Sequence, residues 1–431
     1  EWNIEGIWLD LSTVPPASNM TPGVSTTLPQ GPQSIGNNAS NRANNNPQQI
    51  ANLYNFPLQG NQVVTGTVGL IEPGVGTYLP EVPEDKTAEK FASRLNIYLS
   101  SINQVPLPGA GGVTVQGVNG QAGNGTGERS IDVGVVAGVN PNSLLALYNG
   151  SGKSSSTGNA QASVFTAAQS AIWDLTNNPA VTSNSWGDNQ SMAPKSPFYA
   201  AYKQMFLDAA LQNQTTVIAL GDGGSGNETH NGLTNVEMNV TQATNLVVGG
   251  TSLTQLGTAS SDPTLTQSIL PQAQALNPAI LWSLMRSGLS QSPTNYSSTA
   301  NPRLLEAVWN TYVLDGSEIK TSNNNFDPGY QNNNTSSGGV DPSQHTPSYQ
   351  VNYGLTPTTT DILQQVGRGV PDVAANAGGN MEYTVPGADM KGTINQGGTS
   401  AAAPFWASLL TQINTIFQDQ GLSNLGYCND L

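Results

Sequence analysis

The stretch TTVIALGDGGSG, Thr215–Gly226, decides how this chain is read. Two β-branched threonines lead into the apolar run Val217–Leu220, the pattern of a strand buried on both faces, as inside a parallel sheet. The run ends at Asp222, and Gly223, Gly224 and Gly226 follow. An acid at the carboxyl end of a parallel strand points into the crevice where α/β proteins bind their ligands. An aspartate that only caps a turn fits this segment equally well. Outward from it, the same rhythm repeats. A helix is expected over 196–213 and a strand over 244–251. On the other side stand a strand at 180–186, a helix at 162–178, a strand at 143–148 and a helix near 127–138. A strand at 65–74 and an amphipathic helix at 85–102 come first. Strands alternating with helices imply right-handed crossovers and a parallel sheet with helices on both faces.

The rhythm sets the domain boundaries. Residues 15–49 are rich in Pro, Asn, Ser and Gly without periodicity, so residues 1–48 read as an extension or linker, with one short strand in WNIEGIWLDLS. Residues 49–431 read as one domain interrupted by an insertion at about 253–303. A flexible loop is expected over 322–339, and a hairpin over RGVPDVAANAG, 368–378. A buried helix should follow Ser400. The chain opens at Glu1 without a charged leader and reads as a processed product.

Composition narrows the function. Of the 431 residues, 13 are basic and 28 acidic, a net charge of −15, which repels nucleic acid. Only 10% are charged, against roughly 25% in ordinary soluble domains. In acid the carboxylates are largely neutral, and so few Lys and Arg leave little positive self-repulsion. No apolar run reaches the ~20 residues of a membrane span. The single cysteine, Cys428, excludes a disulfide within the chain. Asn-x-Ser/Thr triplets at Asn149, Asn213, Asn239 and Asn295 suit a secreted surface.

Ser400 lies in NQGGTSAAAPFWASLL, 395–410. Gly397 and Gly398 permit close backbone approach, and Phe405, Leu409, Ile413 and Ile416 form one apolar stripe. A hydroxyl here meets free N–H groups and the positive end of a helix dipole, which favour an oxyanion. A plain N-cap serine is the competing reading. The two histidines, His230 and His345, sit in polar loop contexts. Glu128 and Asp132 are four apart in an apolar segment, so on a helix they share one buried face. Two such carboxyls share a proton and titrate together, which suits a general base working in acid; two solvated charges without a role are the competing reading. Gly152-Lys153-Ser154 imitates a phosphate-binding loop, but the required first glycine is absent and no helix pattern follows.

Seven motifs in order carry a resemblance: GERSIDVGVVAG (127–138), SNSWG (183–187), VIALGDGGSG (217–226), VVGGTSL (247–253), LEAVWN (305–310), GVPDVAANAG (369–378) and GGTSAAAPFWASLL (397–410). Together they resemble the sedolisins, the serine-carboxyl peptidases, in their kumamolisin-like branch. The resemblance implies a subtilisin-like α/β fold with a mostly parallel seven-stranded sheet and helices on both faces. It implies Ser400 as nucleophile, Glu128 as general base, Asp132 as its partner and Asp222 as a protonated donor in the oxyanion hole. Glu72 and Trp186 would extend the carboxyl chain. Ser185, Trp186, Gly187 and Gly221 would line the substrate strand, with Glu237 facing a substrate side chain. It also implies a calcium ion, whose usual ligand segment lies beyond Leu431, so no metal ligands are assigned. Gly223 departs from the serine usual after the oxyanion aspartate.

The expectation is therefore a secreted, acid-active endopeptidase, probed against two alternatives: a hydrolase using His230 or His345 as base, and a non-catalytic extracellular binding protein on a peptidase scaffold. Polypeptide substrates and the chain's own prodomain are the expected partners, with no nucleic acid, no membrane span and a monomeric state.

Overall fold

The apolar runs read from the sequence pair side by side as the strands of one sheet. The structure, a computed structural model, describes residues 16–18, 43–73, 88–116, 126–150, 152–154, 160–188, 197–225, 241–255, 304–309, 313–315, 318–320, 335–359, 363–378 and 381–430. The main sheet comprises β1 (Val68–Ile71), β2 (Val113–Gln116), β3 (Leu145–Tyr148), β4 (Val181–Asn184), β5 (Thr215–Ala219), β6 (Leu246–Gln255), β7 (Leu304–Val308) and β8 (Val373–Asn376). Its order is β2-β3-β1-β4-β5-β6. At the far edge β6 pairs parallel with β8 through Val248–Thr251 and antiparallel with β7 through Thr251–Gln255. Strands β1–β6 and β8 are thus the expected seven parallel strands, and β7 adds an antiparallel edge.

Period-two alternation sends neighbouring side chains into two cores. Val68, Leu70, Leu145, Leu147, Val217 and Ala219 face α1 (Ala88–Ser101), α2 (Thr126–Val139) and α5 (Thr399–Asp419). Ile71, Ala146, Tyr148 and Ile218 face α3 (Val164–Ile172) and α4 (Pro197–Leu211). Helices cover both faces, as the alternation requires. Because β1 lies between β3 and β4, the strand order reverses beside it. The crevice at the carboxyl ends of β1 and β4 is a topological switch point.

Several expectations are corrected. RGVPDVAANAG is not a hairpin: Arg368–Val370 pairs antiparallel with strand Thr335–Asp341, whereas Val373–Asn376 joins the main sheet as β8. Two short runs separated by a turn-like dipeptide imitate a hairpin, but each finds a different neighbour. The end of the supposed loop 322–339 is strand, because Ser336 and Ser337 donate backbone N–H groups to Trp309 and Gly221. Backbone pairing there needs no side-chain pattern. Ahead of Gln49, strand Ala43–Asn45 pairs parallel with Met381–Tyr383. Asn46 and Gln49 then close a capping box on helix Pro47–Leu53.

Helix α5 does not lean on a single apolar stripe. Leu409, Ile413 and Ile416 are only half-buried, while Ser408, Thr411, Gln412 and Asn414 are buried. The helix runs through the interior, so its polar residues bond inward: Gln412 to Asn140 and to the Leu58 N–H, Ser408 to the Pro404 carbonyl. The imitation phosphate loop is half of a ribbon, Gly152–Ser154 against Ala160–Ala162. The strand expected in WNIEGIWLDLS and most of the span 253–303 lie outside the described residues. Among those described, no helix is long and apolar enough to cross a membrane.

Candidate active site

The start of α5 is built by glycines. Gly398 is its N-cap with φ 101°, a left-handed conformation that glycine adopts without steric cost. A Cβ on Gly397 would lie 2.0 Å from the Ala377 carbonyl oxygen, so no other residue fits there. Ser400 is the second helical residue and not the N-cap. Its N–H lies in the first turn and has no acceptor within the helix. Its side chain is buried, and Oγ makes no hydrogen bond.

The cap is supplied from another strand. Asp222, just past the end of β5, accepts hydrogen bonds at Oδ1 from the Thr399 N–H (2.9 Å) and the Thr399 hydroxyl (2.8 Å). The turn-capping and strand-end readings of Asp222 merge here: it caps a helix, and that helix carries Ser400. The flanks of Asp222 are held as well. Gly221 N–H donates to Thr399 Oγ1, Ser337 N–H donates to the Gly221 carbonyl, and Gly223 N–H donates to Ser337 Oγ. Both backbone groups of Gly221 are therefore engaged within the fold.

Helix α2 packs against α5. Glu128 stands in its first turn, where the helix dipole favours negative charge. Asp132 lies one turn on, and both are buried. Asp132 and Glu72, the residue after β1, act on one another as buried neighbouring acids, and Asp132 Oδ2 and Glu72 Oε1 have no hydrogen-bond partner, a setting in which one shared proton lowers the cost of burying both. Glu72 Oε2 accepts from the Trp186 indole N–H at 3.2 Å. Glu128, Asp132 and Glu72 are thus a cluster of buried acids that act on one another, with Trp186 bonded to Glu72. Burial, and then the negative charges of Glu72 and Glu128, push the Asp132 carboxyl well above the usual carboxylate range; the Ser185 hydroxyl opposes this. Burial pushes Glu72 up to about 7 against the Trp186 hydrogen bond and the Arg129 charge.

Arg129 escaped the sequence reading. It is wholly buried, stands over the Phe91 ring at 5.9 Å, and is the cation that tempers the acid cluster. An arginine between two acids in an otherwise apolar helix was the available signal. Ser185 is also buried, its hydroxyl 2.8 Å from Asp132 Oδ1 and 3.3 Å from the Ser400 carbonyl. Beside it, strand Pro16–Ser18 pairs antiparallel with Trp186–Asp188, so the edge that includes Gly187 holds an extended segment of this same chain.

Glu128 and Ser400 are not hydrogen-bonded to one another, since Ser400 Oγ has no partner. His345 is exposed and likewise not bonded to Ser400. His230 and Glu237 lie outside the described residues. Asn149 is buried, which leaves no room for a glycan in the folded chain. Among the described residues no three His, Cys, Asp or Glu side chains come together to hold a metal ion. The implied calcium has no ligand set among them, and no step below involves it.

A serine in the first turn of a central helix, with acids at the strand ends of a parallel α/β sheet, defines a hydrolase scaffold of the subtilisin type. Residues 110–424 match the Subtilase family, and the chain belongs to it. Within that family the chain is similar in sequence to kumamolisin and in fold to a sedolisin. It is 28% identical over 369 residues to kumamolisin of Bacillus sp. (strain MN-32), covering 85% of this chain and 52% of that protein. The chain thus spans about half the length of this curated relative. The solved structure of Pseudomonas sedolisin, a serine-carboxyl proteinase complexed with two molecules of pseudo-iodotyrostatin, superposes with a TM-score of 0.56 at 18% identity. It covers 90% of this chain and 85% of that one, a likeness of fold.

Proposed function

We propose that this chain is a secreted serine-carboxyl endopeptidase that works in acid and cuts peptide bonds through an acyl-enzyme on Ser400. The observation that carries the reading is the buried acid cluster of Glu128 and Asp132, on a helix packed against the helix of Ser400, with Glu72 at the end of β1. Such a cluster is a poor structural element, because desolvated carboxyls disfavour their charged forms. It is a good proton acceptor for a hydroxyl at low pH. One proton held between Asp132 and Glu72 reduces the negative charge around Glu128, which is then free to act as the ionised base.

In the forward step Ser400 Oγ attacks the scissile carbonyl while Glu128 takes its proton. The C–N bond then breaks as Glu128 returns that proton to the leaving amine. Water, deprotonated by the same carboxylate, attacks the acyl carbon, and as the acyl–Oγ bond breaks Glu128 gives that proton back to Ser400 Oγ. The tetrahedral oxygen is met by the Ser400 N–H and by Asp222. Because Asp222 Oδ1 already accepts two hydrogen bonds, a proton on this carboxyl sits on Oδ2, and from there it can be donated. This requirement ties activity to acid. The Glu128–Ser400 hydrogen bond forms when substrate arrives, as catalytic contacts commonly tighten only in the substrate complex. The edge at Trp186–Gly187 binds extended polypeptide, and the pairing of Pro16–Ser18 there supports that use.

The test is a pH–rate profile on an unfolded protein substrate with the native chain, Ser400→Ala and Glu128→Gln. Ser400→Ala should abolish turnover and Glu128→Gln nearly so, with native activity greatest in acid. Wild-type rates in Glu128→Gln would refute the assignment of the base. Activity rising towards neutral pH and lost on replacing His230 or His345 would establish a histidine base instead. An inactive native chain that fails to bind a peptide aldehyde in acid would establish a binding protein.

A further inference from the structure

We propose that Ser185 is a positioning residue that couples the acid cluster to the backbone of the nucleophile, its one hydroxyl proton divided between Asp132 and the Ser400 carbonyl. The inference rests on the reading of Ser400 as nucleophile. It starts from a proline. A helical carbonyl is normally bonded by the N–H four residues later; for Ser400 that residue is Pro404, inside α5 and without an N–H. The Ser400 carbonyl is thereby left for an outside donor, in a place closed to water because Ser400 is wholly buried. The donor within reach is Ser185 Oγ at 3.3 Å.

The same hydroxyl lies 2.8 Å from Asp132 Oδ1, the shorter and better contact. A hydroxyl carries one proton, so it serves one acceptor at a time. While Asp132 is charged, the proton stays with the carboxylate and the Ser400 carbonyl is left without a donor. As charge on Asp132 falls, the hydroxyl turns towards Ser400 and steadies the first turn of α5, where the attacking oxygen and the oxyanion N–H both reside. The groups that set the charge on Asp132 are Glu128 on its own helix and Glu72 after β1, with Arg129 acting on Glu72. Helix α5 brings no titratable side chain before Asp419 at its far end. Ser185 and Trp186, after β4, bring hydrogen-bond donors and no charge.

The experiment compares kcat and KM across pH for the native chain, Ser185→Ala, Pro404→Ala and the double variant. Ser185→Ala removes a donor that favours the charged form of Asp132, so the midpoint of the kcat/KM profile should move to higher pH. In the same variant kcat should fall about tenfold with KM little changed, the effect of leaving a buried carbonyl unbonded. Pro404→Ala supplies the Ser400 carbonyl with its own N–H and releases Ser185 wholly to Asp132, so its midpoint should move to lower pH. In the double variant the loss of Ser185 should cost much less in kcat than it does alone. Unmoved midpoints in both single variants, or strictly additive losses, overturn the proposal. If Ser185→Ala does not fold, Pro404→Ala decides alone, and an unshifted profile in it overturns the coupling. Activity surviving in Ser400→Ala would instead remove the nucleophile reading, and a Ser400→Ala control separates the two failures.

Discussion

Replacing Glu72 with Gln should make this protein less sensitive to rising pH, and the size of the effect follows from burial. Glu72 is completely enclosed and accepts a hydrogen bond from the Trp186 indole at 3.2 Å. Its ordinary value of 4.5 is pushed up to about 7. Below 4.5 the folded and unfolded chains both hold this proton, and burying the group carries no penalty from its charge. Between 4.5 and about 7 the folded chain keeps a proton that the unfolded chain has released. Stability therefore falls through that window, at about 1.4 kcal/mol for each pH unit. The whole loss from Glu72 is about 3 kcal/mol, complete once pH exceeds the folded value. Asp132 shifts in the same direction, and removing Glu72 also removes one of the charges that raise it, which widens the difference. The assay is urea unfolding between about pH 4 and about pH 8, with Ser400→Ala as background to suppress self-digestion. The Glu72→Gln variant should lose about 3 kcal/mol less than its parent across that range. Equal losses in both proteins would refute the claim that Glu72 is held neutral by desolvation.

Asp222→Asn keeps an acceptor for the Thr399 N–H but changes the donor offered to the oxyanion, so kcat should fall on the order of 10²–10³ with the melting temperature nearly unchanged; a drop in both would mark a purely structural cap. Deleting residues 1–42 removes the strand Pro16–Ser18 from the Trp186–Asp188 edge, and KM for an extended peptide should fall in a competition-free assay; an unchanged KM would show that the arm does not compete. Gly397→Ala places a Cβ 2.0 Å from the Ala377 oxygen, and the forced shift of the first turn of α5 should abolish activity, read as loss of peptide-aldehyde binding by calorimetry. Arg129→Met removes the cation that lowers Glu72, so the Glu72 carboxyl should hold its proton to higher pH, measurable as a displaced midpoint in the stability profile.

The alternation of apolar runs with amphipathic segments was sufficient to establish a parallel sheet covered on both faces, because a strand buried twice cannot show a polar side. Local pairings were less legible. Arg368–Val370 and Val373–Asn376 look like one hairpin in sequence and belong to two sheets. Thr335–Asp341 carries too many Ser and Gly residues to show a strand pattern, and only its backbone partners make it one. Glu128 and Asp132 could be placed on one helix face from spacing alone, since helix geometry is local.

What the sequence by itself determined was the set of chemical parts: a serine behind two glycines, acids at strand ends, a proline at 404 and the order of the strands. Each of these follows from neighbours along the chain. Tertiary structure decided which parts meet. Residues far apart in sequence, such as Asp222 and Thr399 or Glu72 and Trp186, come within hydrogen-bonding distance only when the sheet assembles. The identity of Ser400 as a second helical residue, the burial of Arg129 and the choice offered to the Ser185 proton belong to that assembly. Desolvation and long-range hydrogen bonds arise from what surrounds a side chain in space, and one-dimensional spacing carries no record of it.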